Sequence, residues 1–496
     1  MKNKQNKNNG HSSTDAGPQN ETPPAGSKQK QDSSKKSRKN RPKIKILFHI
    51  VFWITWLTFI ALTVLTLLDF KRSGSSLLKG TFFSFCLIIS ILGAYPRQPL
   101  RKRFQTLITW TGFLFLFVEL TLQILSLSNK LPAVCVYDHI PFGRLYCAQE
   151  CRVSGFMNRY GWHTSPFKLS PDAGKIALIG DSYIEAFQIN PDQHLGQKLQ
   201  NLLNKHAANG QKTEILTMGI SGAGPAQYLE MIKIAVEYYQ AREIVLFLFL
   251  GNDFSDTLWD PNRSMKKPDR YIYYTINDEQ NLEIHPQSKK ARESFTTKLI
   301  NNYKHPFPDI NRFLKNHCMT LSIIKIFRQL RNTEQEAATQ ETETTMSQNK
   351  DFSINIVPDH FTLYPNMESV QGELITLKIL DRCYQYAKEK NVQLKIVSIP
   401  YFPGHFYEKF SGSTWSFTFD NFDYIRHEGI IDLFTQNRDI PYLPMGQWME
   451  ENRITTHNLQ DIYLRDGIGH LSSRGHQLFA DIIYETFYTN NTKSIK

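Results

Sequence analysis

The sequence predicts an α/β chain: a three-layer, mainly parallel sheet with helices on both faces, preceded by transmembrane helices. Three observations carry this. From Lys175 onward, short apolar runs alternate with stretches whose leucines recur at helical spacing. One run, "EIVLFLFL" at Glu243–Leu250, is apolar without alternation, as expected of a strand covered on both faces. Far upstream, Ile46–Leu68 is a stretch of 23 residues with no formal charge, long enough to cross a hydrocarbon core about 30 Å thick.

Taken in order, residues 1–45 are Asn, Gln, Lys, Ser, Gly and Pro with almost no apolar side chain, and cannot offset the entropy of ordering. They read as a disordered basic tail. "KKSRKNRPKIK" at Lys35–Lys45 stands directly before the long apolar stretch and reads as a topology determinant rather than a nucleic-acid patch. The charge distribution supports this. The chain of 496 residues carries a formal +12, but residues 1–45 hold 12 Lys/Arg against 3 Asp/Glu, and residues 46–130 hold 8 against 2. About −3 remains for the rest, so the large domain has no basic excess with which to track a phosphate backbone, and no nucleic-acid partner is expected.

Residues 46–130 read as a membrane region with three candidate spans at 46–68, 77–95 and 106–128. A signal peptide is excluded by the long basic flank and the lack of a small-residue cleavage site. The middle candidate is short, and the third contains Glu119 and Gln123. Glu119 either faces a neighbouring helix, marks a polar site, or is tolerated near the interface. "RQPLRKRF" at Arg97–Phe104 reads as a basic loop. With three spans, that loop and the N-terminus are cytoplasmic and the large C-terminal domain is extracytoplasmic, on a periplasmic or outer face; with two, it is cytoplasmic. The expected location is thus a multi-pass membrane protein. Of six cysteines, Cys135, Cys147 and Cys151 cluster after the last span, where a Cys147–Cys151 or Cys135–Cys147 bridge suits an oxidising compartment. No ligand spacing recurs, so neither metal nor cofactor is expected.

Residues 131–174 form a linker and lead-in, and 175–490 the large domain. "KIALI" (Lys175–Ile179), "EILTM" (Glu214–Met218), Glu243–Leu250 and "VQLKIVSIP" (Val392–Pro400) read as strands. Helices are expected at His194–His206, Ala226–Gln240, near Leu374–Lys388 and at about Ser473–Phe487. The polar region near 254–369 reads as an insertion that is partly flexible.

The apolar strands end on the chemistry. Ile179 leads into Gly180-Asp181-Ser182, Met218 into Gly219-Ile220-Ser221-Gly222, and Leu250 into Gly251-Asn252-Asp253. In an open parallel sheet the carboxyl ends of the strands are where ligands bind. A serine hydroxyl is a weak nucleophile and needs a base, which "RDGIGHLSSRGH" at Arg465–His476 supplies. The roles are Ser182 as attacker, His470 as base then acid, and Asp466 as the residue orienting the imidazole. The backbone N–H groups of Ser182 and Gly222 and the side-chain amide of Asn252 are the donors for the developing oxyanion. His476, inside the following helix, reads as structural.

Each block alone is an ordinary turn; their joint order is not. "IGDSY", "MGISGAG", "LGNDF" and "DGIGHLSSRGH" together resemble the four blocks of the SGNH (GDSL-type) hydrolases, with Ser182, Gly222, Asn252 and His470 at the four signature positions. The resemblance covers roughly Lys175–Tyr484 and implies a three-layer flavodoxin-like sheet and acyl-ester chemistry. "FMNRYGWHT" at Phe156–Thr164 also resembles a lead-in to envelope-associated members. The chain departs from the pattern in three places. The acidic residue stands four before the histidine rather than three, Thr217 replaces a usual Asn, and Tyr183 replaces a common Leu and is expected to narrow the pocket. The resemblance implies a membrane-anchored serine ester hydrolase, for instance an O-deacetylase of envelope glycan, acting on a glycan or lipid ester near the bilayer. Two alternatives stay open. One is an O-acyltransferase to a glycan hydroxyl, which would need a multi-span acyl-carrier partner. The other is a non-catalytic envelope assembly or glycan-binding protein.

Overall fold

The computed structural model describes residues 49–57, 98–128, 135–147, 153–207, 212–259, 271–305, 310–324, 365–401, 425–454, 456–464 and 469–489, with a few short stretches besides. It divides into two units, Met1–Leu116 and Phe117–Lys496. In the first, residues 49–57 are helical, and a long helix, Gln98–Leu127, begins. The basic run read as a loop is therefore helical from Gln98; Pro99 falls in the first turn, where its missing N–H costs nothing. Among the described residues, one helix, Lys102–Leu127, is long and apolar enough to cross a membrane. The second candidate span and the end of the first lie outside the described residues, as does the region 325–364 within the expected insertion.

The second unit opens with an antiparallel sheet of β1 (Cys135–Val136), β2 (Arg144–Cys147) and β3 (Val153–Phe156), in the order β1-β2-β3. Cys147 is disulfide-bonded and Cys318 and Cys383 are free thiols; Cys86 and Cys151 lie outside the described residues. Glu119 faces this unit. Its carboxylate accepts the N–H of Met319 at 2.9 Å, and from Thr320 both the N–H at 2.9 Å and the hydroxyl at 2.8 Å. Two helix N–H groups that lack an intrahelical partner are thereby satisfied.

The central sheet follows: β4 (Gly174–Gly180), β5 (Thr213–Gly219), β6 (Glu243–Phe249), then a hairpin of β7 (Tyr274–Ile276) and β8 (Leu282–Ile284), then β9 (Gln393–Ile399). A second hairpin, β10 (Thr418–Phe419) and β11 (Phe422–Asp423), precedes the edge strand β12 (Tyr442–Pro444). The order is β12-β9-β6-β4-β5, parallel throughout, which is the flavodoxin-like order expected. Beyond its first residue each of β4, β5, β6 and β9 is buried at every position, which is why they read as unbroken apolar runs. Helices Leu195–Lys205 and Ser473–Tyr488 pack together, and Pro225–Glu237 packs with Met367–Glu389. Because parallel crossovers are right-handed, the reversal of direction at β4 sends these two pairs to opposite faces. The expected insertion also carries helices Lys289–Lys304 and Ile310–His317, and the helix expected near Leu374 begins at Met367.

Candidate active site

The strand order reverses at β4, and Ser182 lies just beyond its carboxyl end. The chain turns at once into a four-residue helix, Ser182–Glu185, with the Asp181 side chain accepting the Tyr183 N–H at 2.9 Å as its cap. This turn has to pass close under β5. A Cβ at Gly219 would lie 2.0 Å from the Glu185 backbone nitrogen, so the last residue of β5 has room for a hydrogen only. Glycine at position 219 is thus a condition for the serine's position.

Ser182 is half-buried, and its Oγ lies 2.8 Å from Nε2 of His470, 288 residues away in sequence. That is within the reach needed for proton transfer. His470 is 5% exposed. Its carbonyl accepts the Leu464 N–H at 2.7 Å, and Leu471 bridges to Tyr463. Tyr183 contributes from below. It is buried, its ring centroid lies 5.0 Å from that of His470, and its hydroxyl donates to the Gly469 carbonyl at 3.2 Å. This side chain, which the sequence reads as narrowing the pocket, packs beside the imidazole. Asp466, the expected orienting acid, lies outside the described residues.

Gly222 sits in the loop after β5 with φ +71°, a conformation glycine adopts without strain. The loop is fixed from the nucleophile's own helix. Glu185, 1% exposed, accepts the Ser221 N–H at 2.6 Å and the Ser221 hydroxyl on the same oxygen, Oε2. Its other oxygen faces Nε2 of His139 at 2.6 Å, while the opposite ring nitrogen of His139 faces the Gly161 carbonyl at 3.2 Å. The lead-in reaches the site by a second route as well. Phe187, just after the short helix, is buried with Leu145, Val153 and Met157, and its ring centroid is 4.3 Å from that of Tyr137.

Asn252 follows β6 in a turn. Its Nδ2 donates one hydrogen to Asp256 at 3.0 Å, and the same nitrogen carries a second. Its Oδ1 is buried without a hydrogen-bond partner. Around these residues stand buried acids. Burial raises the Asp181 carboxyl to about 7, opposed by the Tyr183 N–H and by His470 and reinforced by Asp256. Asp253, fully buried, accepts the Phe249 N–H at 2.8 Å and the Tyr228 hydroxyl at 3.0 Å; burial, with Asp181 and Asp256 near, holds it well above the usual carboxylate range. His476 is buried and its Nδ1 accepts the Leu195 N–H at 3.2 Å, the structural place expected of it. Among the described residues, no group of His, Cys, Asp and Glu is arranged to hold a metal ion.

Glu185 and His139 were not singled out in the sequence. Glu185 had a signal: it is the one charged residue in "SYIEAF", a stretch otherwise suited to burial. His139 had none, because its partner is 46 positions away.

No family model matches the sequence, and no curated protein matches it. Solved structures do. The chain is similar to TesA at 12% identity, covering 63% of this chain and 98% of that one with a TM-score of 0.31. It is similar to AlinE4, described as an SGNH-hydrolase family esterase, at 12% identity, covering 64% and 95% with a TM-score of 0.28. It is also similar to the acetyl xylan esterase AlAXEase at 11% identity, covering 63% and 99% with a TM-score of 0.32.

Proposed function

We propose that the chain is a serine-dependent acyl-ester hydrolase of the SGNH type, held at a membrane by its N-terminal region. The observation that carries this is the 2.8 Å contact between Ser182 Oγ and His470 Nε2 at the point where the strand order reverses. In this reading Ser182 attacks the ester carbonyl while His470 takes its proton. The negative charge on the carbonyl oxygen is received by the N–H groups of Ser182 and Gly222 and the second amide hydrogen of Asn252. The tetrahedral intermediate collapses, the C–O bond to the alcohol breaks, and His470 returns the proton to the departing oxygen. Water then enters by the same route, and the carboxylic acid and free enzyme result. Asp466 is assigned the hydrogen bond to Nδ1 of His470.

The substrate class we favour is a short acyl ester, such as an O-acetyl group, on envelope glycan. The support is the placement of this site in a domain that directly follows an apolar helix preceded by a basic flank. A serine-directed fluorophosphonate tests the chemistry: the parent should label, and Ser182→Ala and His470→Ala should not. Absence of labelling together with absence of hydrolysis across a panel of acyl esters would remove the proposal. Turnover that depends on an added glycan acceptor would replace hydrolysis by acyl transfer.

A further inference from the structure

Residues 310–324 carry a row of apolar side chains directed outward: Ile310 is 75% exposed, Leu314 59%, Leu321 47% and Ile324 43%. Ile310 and Leu314 are one turn apart on the helix Ile310–His317, and Leu321 and Ile324 one turn apart on the helical residues that resume at Met319. Other side chains of the segment are spent on the protein. Asn316 is buried and exchanges hydrogen bonds with the backbone of Arg144, and Met319 is buried with Tyr146 against Leu122 and Leu125 of the long helix. The segment is also tied to that helix through polar groups, by Glu119 at Met319 and Thr320 and by Gln123 Nε2, which donates to the His317 carbonyl at 2.7 Å. Soluble surfaces seldom leave so many large aliphatic side chains together.

The length of the helix says what covers them. Lys102–Leu127 is 26 residues, about 39 Å at 1.5 Å per residue, against a hydrocarbon core of about 30 Å. Counted from the end of its basic flank at Arg103, about 20 residues reach Gln123. Gln123 therefore stands at the far hydrocarbon boundary and Glu119, about 24 Å along, one turn inside it, and the segment they hold lies at the same level. Apolar residues of the helix, Phe117 and Leu120 among them, are exposed as well. We propose that residues 310–324 form an interfacial collar that lies in the lipid bilayer with Ile310, Leu314, Leu321 and Ile324 in the acyl-chain boundary, its polar groups held by Glu119 and Gln123 of the long helix. The collar fixes the height and tilt of the large domain over the membrane. This rests on the long helix being a membrane span, and it is independent of the catalytic reading.

The test is photocrosslinking of the full chain in its membrane. A benzophenone side chain is placed singly at Phe117, Ile310, Leu314 and the exposed Lys205, and adducts are identified by mass. Lipid adducts at Phe117, Ile310 and Leu314 and none at Lys205 are expected. Lipid adducts at Phe117 with none at Ile310 or Leu314 overturn the collar and leave the span standing. Protein adducts at Ile310 and Leu314 overturn it in favour of a second copy or another protein partner. Absence of lipid adducts at Phe117 removes the span, and the collar with it.

Discussion

Glu185→Ala tests whether the oxyanion loop is positioned from the lead-in. The substitution strips the Ser221 N–H and hydroxyl of a common acceptor and leaves His139 without the carboxylate 2.6 Å from its ring. Leaving a buried donor without its acceptor costs about 1–3 kcal/mol. The Ser221 N–H and hydroxyl both lose theirs, and the two costs overlap because they share one carboxylate oxygen, so the expected loss of stability is about 2–4 kcal/mol. The kinetic effect has a ceiling: losing an oxyanion donor outright slows reaction by about 10²–10³. A Gly222 loop that is loosened but present should lose less, about tenfold or more. Glu185→Gln keeps an acceptor for Ser221 and should fall between. The assays are thermal unfolding and the rate of fluorophosphonate acylation, with kcat and KM for an ester measured in parallel. The fall should appear in kcat, because the loop meets charge that exists only in the transition state. A Glu185→Ala variant within about 1 kcal/mol of the parent that acylates at the parent rate would refute the reasoning.

Three further outcomes are expected. Tyr183→Phe keeps the ring beneath His470 and removes the hydrogen bond to Gly469, so stability should fall by about 1 kcal/mol and kcat should fall with KM little changed; an unchanged kcat would dissociate this hydroxyl from the imidazole's position. Gly219→Ala places a methyl 2.0 Å from a backbone nitrogen that cannot yield without moving Ser182, so acylation should be lost even where the protein folds, and a crystal structure with the Ser182–His470 contact intact would contradict it. Asp181 titrates at about 7 in the fold against 3.8 ordinarily, so between those values the folded state keeps a proton the unfolded chain has released. Stability therefore falls as pH rises through that window, by up to about 4 kcal/mol at about 1.4 kcal/mol per unit. Asp181→Asn retains the cap and removes this group's share of the slope, leaving that of Asp253 and Glu428, and parallel parent and variant curves of thermal midpoint against pH would show the assignment to be wrong.

The central sheet was legible because strands buried on both faces write themselves as unbroken apolar runs, as in Glu243–Phe249. The edge strand Tyr442–Pro444 was not: three residues, one of them proline, leave no run to read. Ser182 and His470 could be named because each lies in a compact block of glycine and polar residues at an element boundary. Glu185 and His139 are held together only by the tertiary fold, and no local periodicity encodes a contact between positions 139 and 185. Tyr183 was visible as a departure from the pattern, but its contacts with His470 and Gly469 depend on the tertiary fold. Glu119 was conspicuous as a charge in an apolar helix; its partners, two hundred positions downstream, are what the sequence withheld.

The lead-in's grip on Glu185 and Phe187 sets where this chain can be cut. A recombinant fragment beginning at Gly174 would retain every strand of the parallel sheet and every residue proposed to touch substrate. It would nevertheless lack His139 and Tyr137, which pack against Glu185 and Phe187 just after Ser182. The compact unit begins further upstream still, at Phe117, because Glu119, Leu122, Gln123 and Leu125 of the long helix hold residues 317–320 and cover Tyr146, so a cut between that helix and Cys135 would strip a second set of contacts.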